Sequence, residues 1–193
     1  MKKEILVYLT VFFLLMLTAG CIDQQPKGNS KEMKILDDVA LKTTDLNETY
    51  FLLEENYIIE PYQSDESNLF SGWNVTQKYR AFFYLNSTNF IQHEIVKLQS
   101  VEKSDEFQTR LKSNIEDLGY DFKNVDIDPI GNITLFFEAV AKINNSNITI
   151  YLLTFSYDDI VVIIQTANVL KDQIIKYGNI VLTNLVTIND QEI

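Results

Sequence analysis

The chain has 193 residues, enough for one domain behind a short leader, and carries 16 basic and 27 acidic side chains for a formal charge of −11. Nucleic acid and anionic lipid surfaces are poor partners for such a field. With Cys21 the only cysteine and His93 the only histidine, there is no internal disulfide and no pair of soft ligands for a transition metal.

Lys2 and Lys3 open the chain, Ile5 begins an apolar run that ends at Leu17, and Thr18, Ala19 and Gly20 lead into Cys21. This is the charge, core and small-residue order of an export signal. At 1.5 Å per residue the run is about 20 Å long, short of the roughly 30 Å hydrocarbon core that a spanning helix must cross. The segment Leu17-Thr18-Ala19-Gly20-Cys21 resembles the lipobox of prokaryotic lipoproteins, with the leucine one place earlier than usual. The resemblance implies cleavage before Cys21 and a diacylglycerol on its sulfur, hence a lipid-anchored domain on the extracytoplasmic side of the cell membrane. An uncleaved signal anchor over residues 5–22 is the alternative. Three parts are expected: a signal peptide at 1–20, a lipidated cysteine and flexible tether at 21–31, and one domain at 32–193. The tether is polar and contains Pro26 and Gly28.

Met33, Ile35, Leu36 and Val39 could form a short helix or pad the first strand. Residues 50–59 and 73–85 read as strands, the second with Trp73, Val75, Tyr79, Ala81, Phe83 and Leu85 on one face. Between them lies a polar loop at 60–72. A turn at 86–89 leads into a strand at 90–101, so the two should form an antiparallel hairpin. Ser104 reads as the N-cap of a helix at 104–118 with Phe107, Leu111, Ile115 and Leu118 along one stripe. A meander follows, with strands at 120–128, 133–143, 148–157 and 160–167 separated by turns at Pro129-Ile130-Gly131-Asn132, 144–147 and Asp158-Asp159. The last of these strands is apolar on both faces, which predicts a central position. A helix at 169–186 closes the domain, with Ile174, Tyr177, Val181 and Leu185 on one stripe and Gly178 costing about 1 kcal/mol relative to alanine.

The class is therefore α+β: a mostly antiparallel sheet of six to seven strands flanked by two main helices, behind an N-terminal signal helix. The order of elements, with residues 46–57, Gly72-Trp73 and Pro129-Ile130-Gly131, resembles the Mog1/PsbP-like fold of exported lipoproteins and photosystem-associated proteins. The resemblance covers residues 41–186 and implies a sheet flanked by helices. It carries no catalytic motif and assigns no functional residue.

Chemistry is sparse. His93 reads as a surface residue on the polar face of its strand, and no nucleophile motif or phosphate-binding glycine loop occurs. Asp121, Asp126 and Asp128 precede the Pro129–Gly131 turn and could offer oxygens to calcium, but their spacing is not that of an EF-hand. The pairs Glu54-Glu55 and Asp158-Asp159 are sequence neighbours that point apart, unsuited to acid/base work. Most members of the aromatic groups at 82–84 and 136–137 are expected in the core, with Phe82, Tyr84 and Phe136 the outward candidates for a binding groove. No metal or cofactor is expected.

Six Asn-x-Ser/Thr triplets begin at Asn47, Asn74, Asn86, Asn132, Asn144 and Asn147, more than the composition requires. Together with the lipobox-like site they resemble glycosylated cell-surface lipoproteins of archaea; an asparagine-rich composition is the other explanation. The leading expectation is a surface-anchored binding or accessory module, not an enzyme, held to the membrane through lipid on Cys21 and serving an envelope protein or a small apolar ligand. The other reading is a calcium-dependent or hydrolytic enzyme using Asp126 and Asp128. Replacing Cys21 with alanine is expected to release the domain from the membrane fraction or leave an unprocessed precursor; attachment persisting at the mature mass would refute the lipid anchor.

Overall fold

The computed structural model describes residues 33–46, 50–59, 73–86, 88–117, 122–143 and 146–190. The expected signal peptide, lipobox, Cys21 and tether lie outside them. So do Asn47, Asn144, the 60–72 loop and Asp121.

The elements in chain order are helix α1 (Met33–Val39), a 3-10 turn (Thr43–Asp45), β1 (Phe51–Ile59), β2 (Gln77–Asn86), β3 (Asn89–Lys97), α2 (Val101–Asp117), β4 (Lys123–Asn124), β5 (Ile133–Ile143), β6 (Ser146–Tyr157), β7 (Ile160–Ala167) and α3 (Lys171–Asn189). The seven strands form one sheet in the order β1-β2-β3-β7-β6-β5-β4, with every neighbouring pair antiparallel. The α+β class and both main helices are as the sequence implies, and the N-terminal apolar residues form the short α1. The expected strand at 120–128 contracts to the two residues of β4.

Strand β7 occupies the middle of the sheet, and seven of its eight residues are buried. Its alternate side chains enter two different cores. Val162 and Ile164 join Tyr79, Ala81, Phe83, Ile91, Ile95, Leu153 and Phe155 on the face covered by α1 and α3. Val161 and Ile163 join Val96, Leu152 and Phe137 on the face covered by α2. The stripe of α3 buries Ile174, Tyr177, Val181 and Leu185 against the first face, while α2 lays Phe107, Leu111 and Ile115 on the second. The side chains of Gln108 and Thr154 bond each other at 2.9 and 3.2 Å within that second interface and fix where the helix lies on β6.

Two local expectations change. Ser104 is not a cap: α2 begins one turn earlier, at Val101, and the buried Ser104 hydroxyl reaches the carbonyls of Val101 and Asp158 at 2.8 and 2.7 Å. Ser100 holds the start instead, its carbonyl accepting from the Lys103 and Ser104 amides at 3.1 and 3.2 Å. Trp73 and Val75 do not share a face with Tyr79, Ala81 and Phe83, because β2 begins only at Gln77 and the irregular residues before it carry Trp73 and Val75 to the α2 side.

Glycine is required at two places. Gly131, at φ +79°, sits where a Cβ would lie 2.3 Å from the Ser156 carbonyl oxygen. Gly178 lets α3 approach the sheet: a Cβ there would meet Leu153 Cδ2 at 2.8 Å and Ile130 Cδ1 at 3.1 Å. Gly178 is thus a packing residue, where the sequence suggested only a weak point in the helix. The roughly 1 kcal/mol that alanine adds to helix propensity is set against overpacking of about 1–3 kcal/mol in a filled core. Gly178→Ala is expected to lower stability by about 1 kcal/mol and Gly178→Val by about 3 kcal/mol, measured as urea midpoints at constant slope. A gain in midpoint for the alanine variant would contradict the close approach.

Candidate functional site

Four places on the molecule gather chemistry, and they differ in what they leave available. The first is the core beneath α1. His93 is fully buried, on the same strand face as Ile91 and Ile95. The expectation of a surface histidine fails because β3 is covered on both faces, so residues of either parity are enclosed. Its Nδ1 accepts from the Leu41 amide at 3.4 Å, which places the ring proton on Nε2, and Nε2 has no hydrogen-bond partner among the described residues. Tyr79 meets the ring edge-on at 6.0 Å between centroids and donates its hydroxyl to Glu55 Oε1 at 3.1 Å. Burial, with Lys42 adding to it, pushes the His93 pKa down to about 3; burial, reinforced by Glu55, raises that of Tyr79.

The sign of the consequence follows from the unfolded histidine, which titrates near 6.5. Below that pH the unfolded chain binds a proton that the folded chain refuses, so stability falls by about 1.4 kcal/mol per pH unit from there down toward the folded value. His93→Gln keeps an acceptor for Leu41 and removes the titration. The slope of unfolding free energy between about pH 6.5 and pH 5, above most carboxylate titration, is expected to flatten in the variant; an unchanged slope would show that His93 is not its source.

The second place lies on the α2 side of β2 and β3. Glu94 is 1% exposed, with Lys78 Nζ at 3.2 Å, Arg80 Nε at 3.5 Å and Gln92 donating to it at 3.0 Å. Removing one member of such a buried set leaves an uncompensated charge, a cost of about 3–5 kcal/mol. The group is a structural ion cluster with no signal in the sequence, where alternation in β2 only sets Lys78 and Arg80 opposite its apolar face.

The third is a shallow groove of about 120 Å³ between the segment at Trp73 and the first half of α2, lined by Asn74, Leu98, Gln99, Lys103, Glu106 and Arg110 as well. Trp73 packs edge-on against Phe107 at 5.3 Å, and the Arg110 guanidinium stands 5.8 Å above the indole. Lys103 pairs with Glu106 at 2.6 Å, and Asn74 donates to Gln99 at 3.2 Å. Its polar groups satisfy one another, and its volume falls below the roughly 300 Å³ at which ligand pockets usually begin.

The fourth is the exposed start of the edge strand. Phe51 is 64% exposed, Leu52 44% and Leu53 68%. Successive strand residues point to opposite faces, so the edge strand shows apolar side chains on both, although Phe83 opposite Leu52 and Tyr50 before Phe51 are buried. A register shift between Leu52 and Glu54 breaks the ladder there. Tyr84, paired with Phe51, is also exposed, and Phe82 stacks on Phe90 at 5.4 Å beside it. Of the three proposed groove aromatics, Phe82 and Tyr84 do lie at this corner. Phe136 does not: it is 1% exposed, in the core beneath α3.

The remaining sequence candidates are dispersed. Asp126 and Asp128 are exposed and alternate with Val125 and Ile127, which pack on the core. Among the described residues no three His, Cys, Asp or Glu side chains come close enough to hold a metal ion. Asp158 takes a φ of +51° in the β6–β7 turn, and Asp159 faces Lys97 at 3.9 Å. Asn74, Asn86, Asn132 and Asn147 are all exposed. Among the described residues no helix is long and apolar enough to cross a membrane.

No family model and no curated protein matches the sequence. Among solved structures, the chain is similar to the extracellular domain of PknH from Mycobacterium tuberculosis, with a TM-score of 0.61 at 10% identity over 87% of this chain and 100% of that one. At that identity the likeness is one of fold.

Proposed function

We propose that this protein is an exported module, anchored by lipid on Cys21, that holds another envelope protein through the exposed start of strand β1. The order of basic, apolar and small residues before Cys21 supports export and anchoring. The fold is compatible with that setting, since it is shared with a domain described as extracellular. A small apolar ligand is less well served, because the described groove is small and polar.

The observation that carries the reading is three consecutive large apolar residues, Phe51, Leu52 and Leu53, exposed on an edge strand. An edge strand is a template for an added strand, and proteins usually blunt it with charge or cover it. Here the apolar start runs into Glu54 and Glu55. Those carboxylates disfavour a second copy of the same strand, in which like charges would meet. An extended segment bearing apolar and basic residues fits better, and the charge of −11 would draw it in.

Crosslinking on intact cells, followed by mass spectrometry of what co-purifies, tests this with the full chain and with a Phe51→Asp/Leu53→Asp variant. Wild type is expected to retain one stoichiometric envelope protein, with recovery falling at least about tenfold in the variant, which corresponds to about 1.4 kcal/mol. The melting temperature should barely move, since both side chains are exposed. Equal recovery from the two proteins, or no partner from either, would refute the proposal.

A further inference from the structure

We infer that Asn86, at the tip of the β2–β3 hairpin, is the acceptor of an N-linked glycan, and that the folded domain offers this position ahead of the other described sequons, Asn74, Asn132 and Asn147. The inference rests on the export half of the proposed function.

An Asn-x-Ser/Thr triplet is best offered where the hydroxyl two residues on reaches the asparagine Oδ1, because hydrogen bonds to that oxygen acidify the Nδ2 protons, one of which the nitrogen must shed to become a nucleophile. A turn achieves that proximity and a strand prevents it, since alternate residues of a strand stand almost 7 Å apart. At Asn86 the proximity is built in. Its Oδ1 accepts from the Thr88 amide at 2.9 Å, the Thr88 hydroxyl at 3.0 Å and the Asn89 amide at 3.0 Å, while that hydroxyl also reaches Asn89 Oδ1 at 3.0 Å. The side chain is exposed, and Nδ2, the atom that would be modified, makes no hydrogen bond among the described residues.

The other described sequons lack this arrangement. Asn74 donates Nδ2 to Gln99 at 3.2 Å, and the Thr76 hydroxyl is turned to the Lys97 carbonyl at 3.1 Å. At Asn132 the Thr134 hydroxyl donates to the Ile130 carbonyl at 2.6 Å and accepts from the Ile130 amide at 2.8 Å, which ties it to the turn behind it. Asn147 lies in the β5–β6 ladder opposite Lys142, so the Thr149 side chain is held a full strand repeat away.

The reaction joins Asn86 Nδ2 to the anomeric carbon of a sugar carried on a lipid phosphate. The bond from that carbon to the phosphate oxygen breaks, the electron pair leaves with the lipid phosphate, and one Nδ2 proton passes to a base of the membrane transferase. The glycan would border the Phe51–Tyr84 corner, because Asn86 follows two residues after Tyr84, the register partner of Phe51.

Glycopeptide mass spectrometry of the full chain, purified from membranes of the cells that produce it, tests this. Wild type should carry a glycan at Asn86. Asn86→Gln and Thr88→Val should lose that mass, Thr88→Ser should keep it, and Asn132→Gln should leave it unchanged. An unmodified Asn86 in protein that carries lipid on Cys21 would overturn the inference and leave export standing. Recovery only from the cytoplasm, with neither lipid nor glycan, would overturn both.

Discussion

A strand whose side chains are apolar on both faces must be covered twice, and in this domain that requirement organises the rest. Strand β7 lies in the middle of the sheet with Val161 and Ile163 on one side and Val162 and Ile164 on the other. One helix layer could satisfy only one pair. The chain supplies α2 for the first and α3, aided by α1, for the second. The same strand is also the seam of the fold. The N-terminal group β1-β2-β3 meets the C-terminal group β7-β6-β5-β4 through pairs such as Lys97 with Ile160 and Phe90 with Ala167. A contact between segments so far apart in sequence forms late and slowly, because the intervening chain must first be closed.

Double coverage also explains which parts of the site could be read from sequence. The stripes of α2 and α3, the turns at 129–132 and Asp158-Asp159, and the central place of β7 follow from local periodicity and turn residues, whereas Ser146 and Asn147, expected in a turn, belong to β6. Periodicity fails where a strand is neither wholly apolar nor half-solvated. In β3, His93 and Glu94 point to opposite faces and both are buried; alternation must assign one of the two faces to water, and the reading of His93 as a surface residue fails for that reason. Which strand abuts β3 is likewise a long-range fact with no local signal. Ser104 was misread for a related reason, since a hydroxyl can bond the carbonyls of its own first turn as well as cap a helix.

The chemistry left at the surface is correspondingly modest. Ionisable groups inside the sheet neutralise one another, as Lys78, Arg80 and Glu94 do, or are kept uncharged, as His93 is. Groove residues near Trp73 pair among themselves. Among the described residues the polar side chains of these clusters are thus mostly engaged with one another, and the large apolar side chains left most exposed on the sheet are those at the start of its first strand, Phe51 and Leu53.

The clasp between the first and last helices has a mechanical consequence. Leu36 and Val39 of α1 belong to the same core as Ile174, Tyr177, Val181 and Leu185 of α3, and Asn184 donates to the Val39 carbonyl at 3.3 Å. A pull applied to α1 therefore loads its contact with α3 together with its packing on β2. It would have to shear α1 from α3 and β2 and part the Leu41 amide from His93 before tension reached β1 along the chain. Force entering at Met33 would thus have to undo the helix contact before it pulled on β1, which follows α1 in the chain.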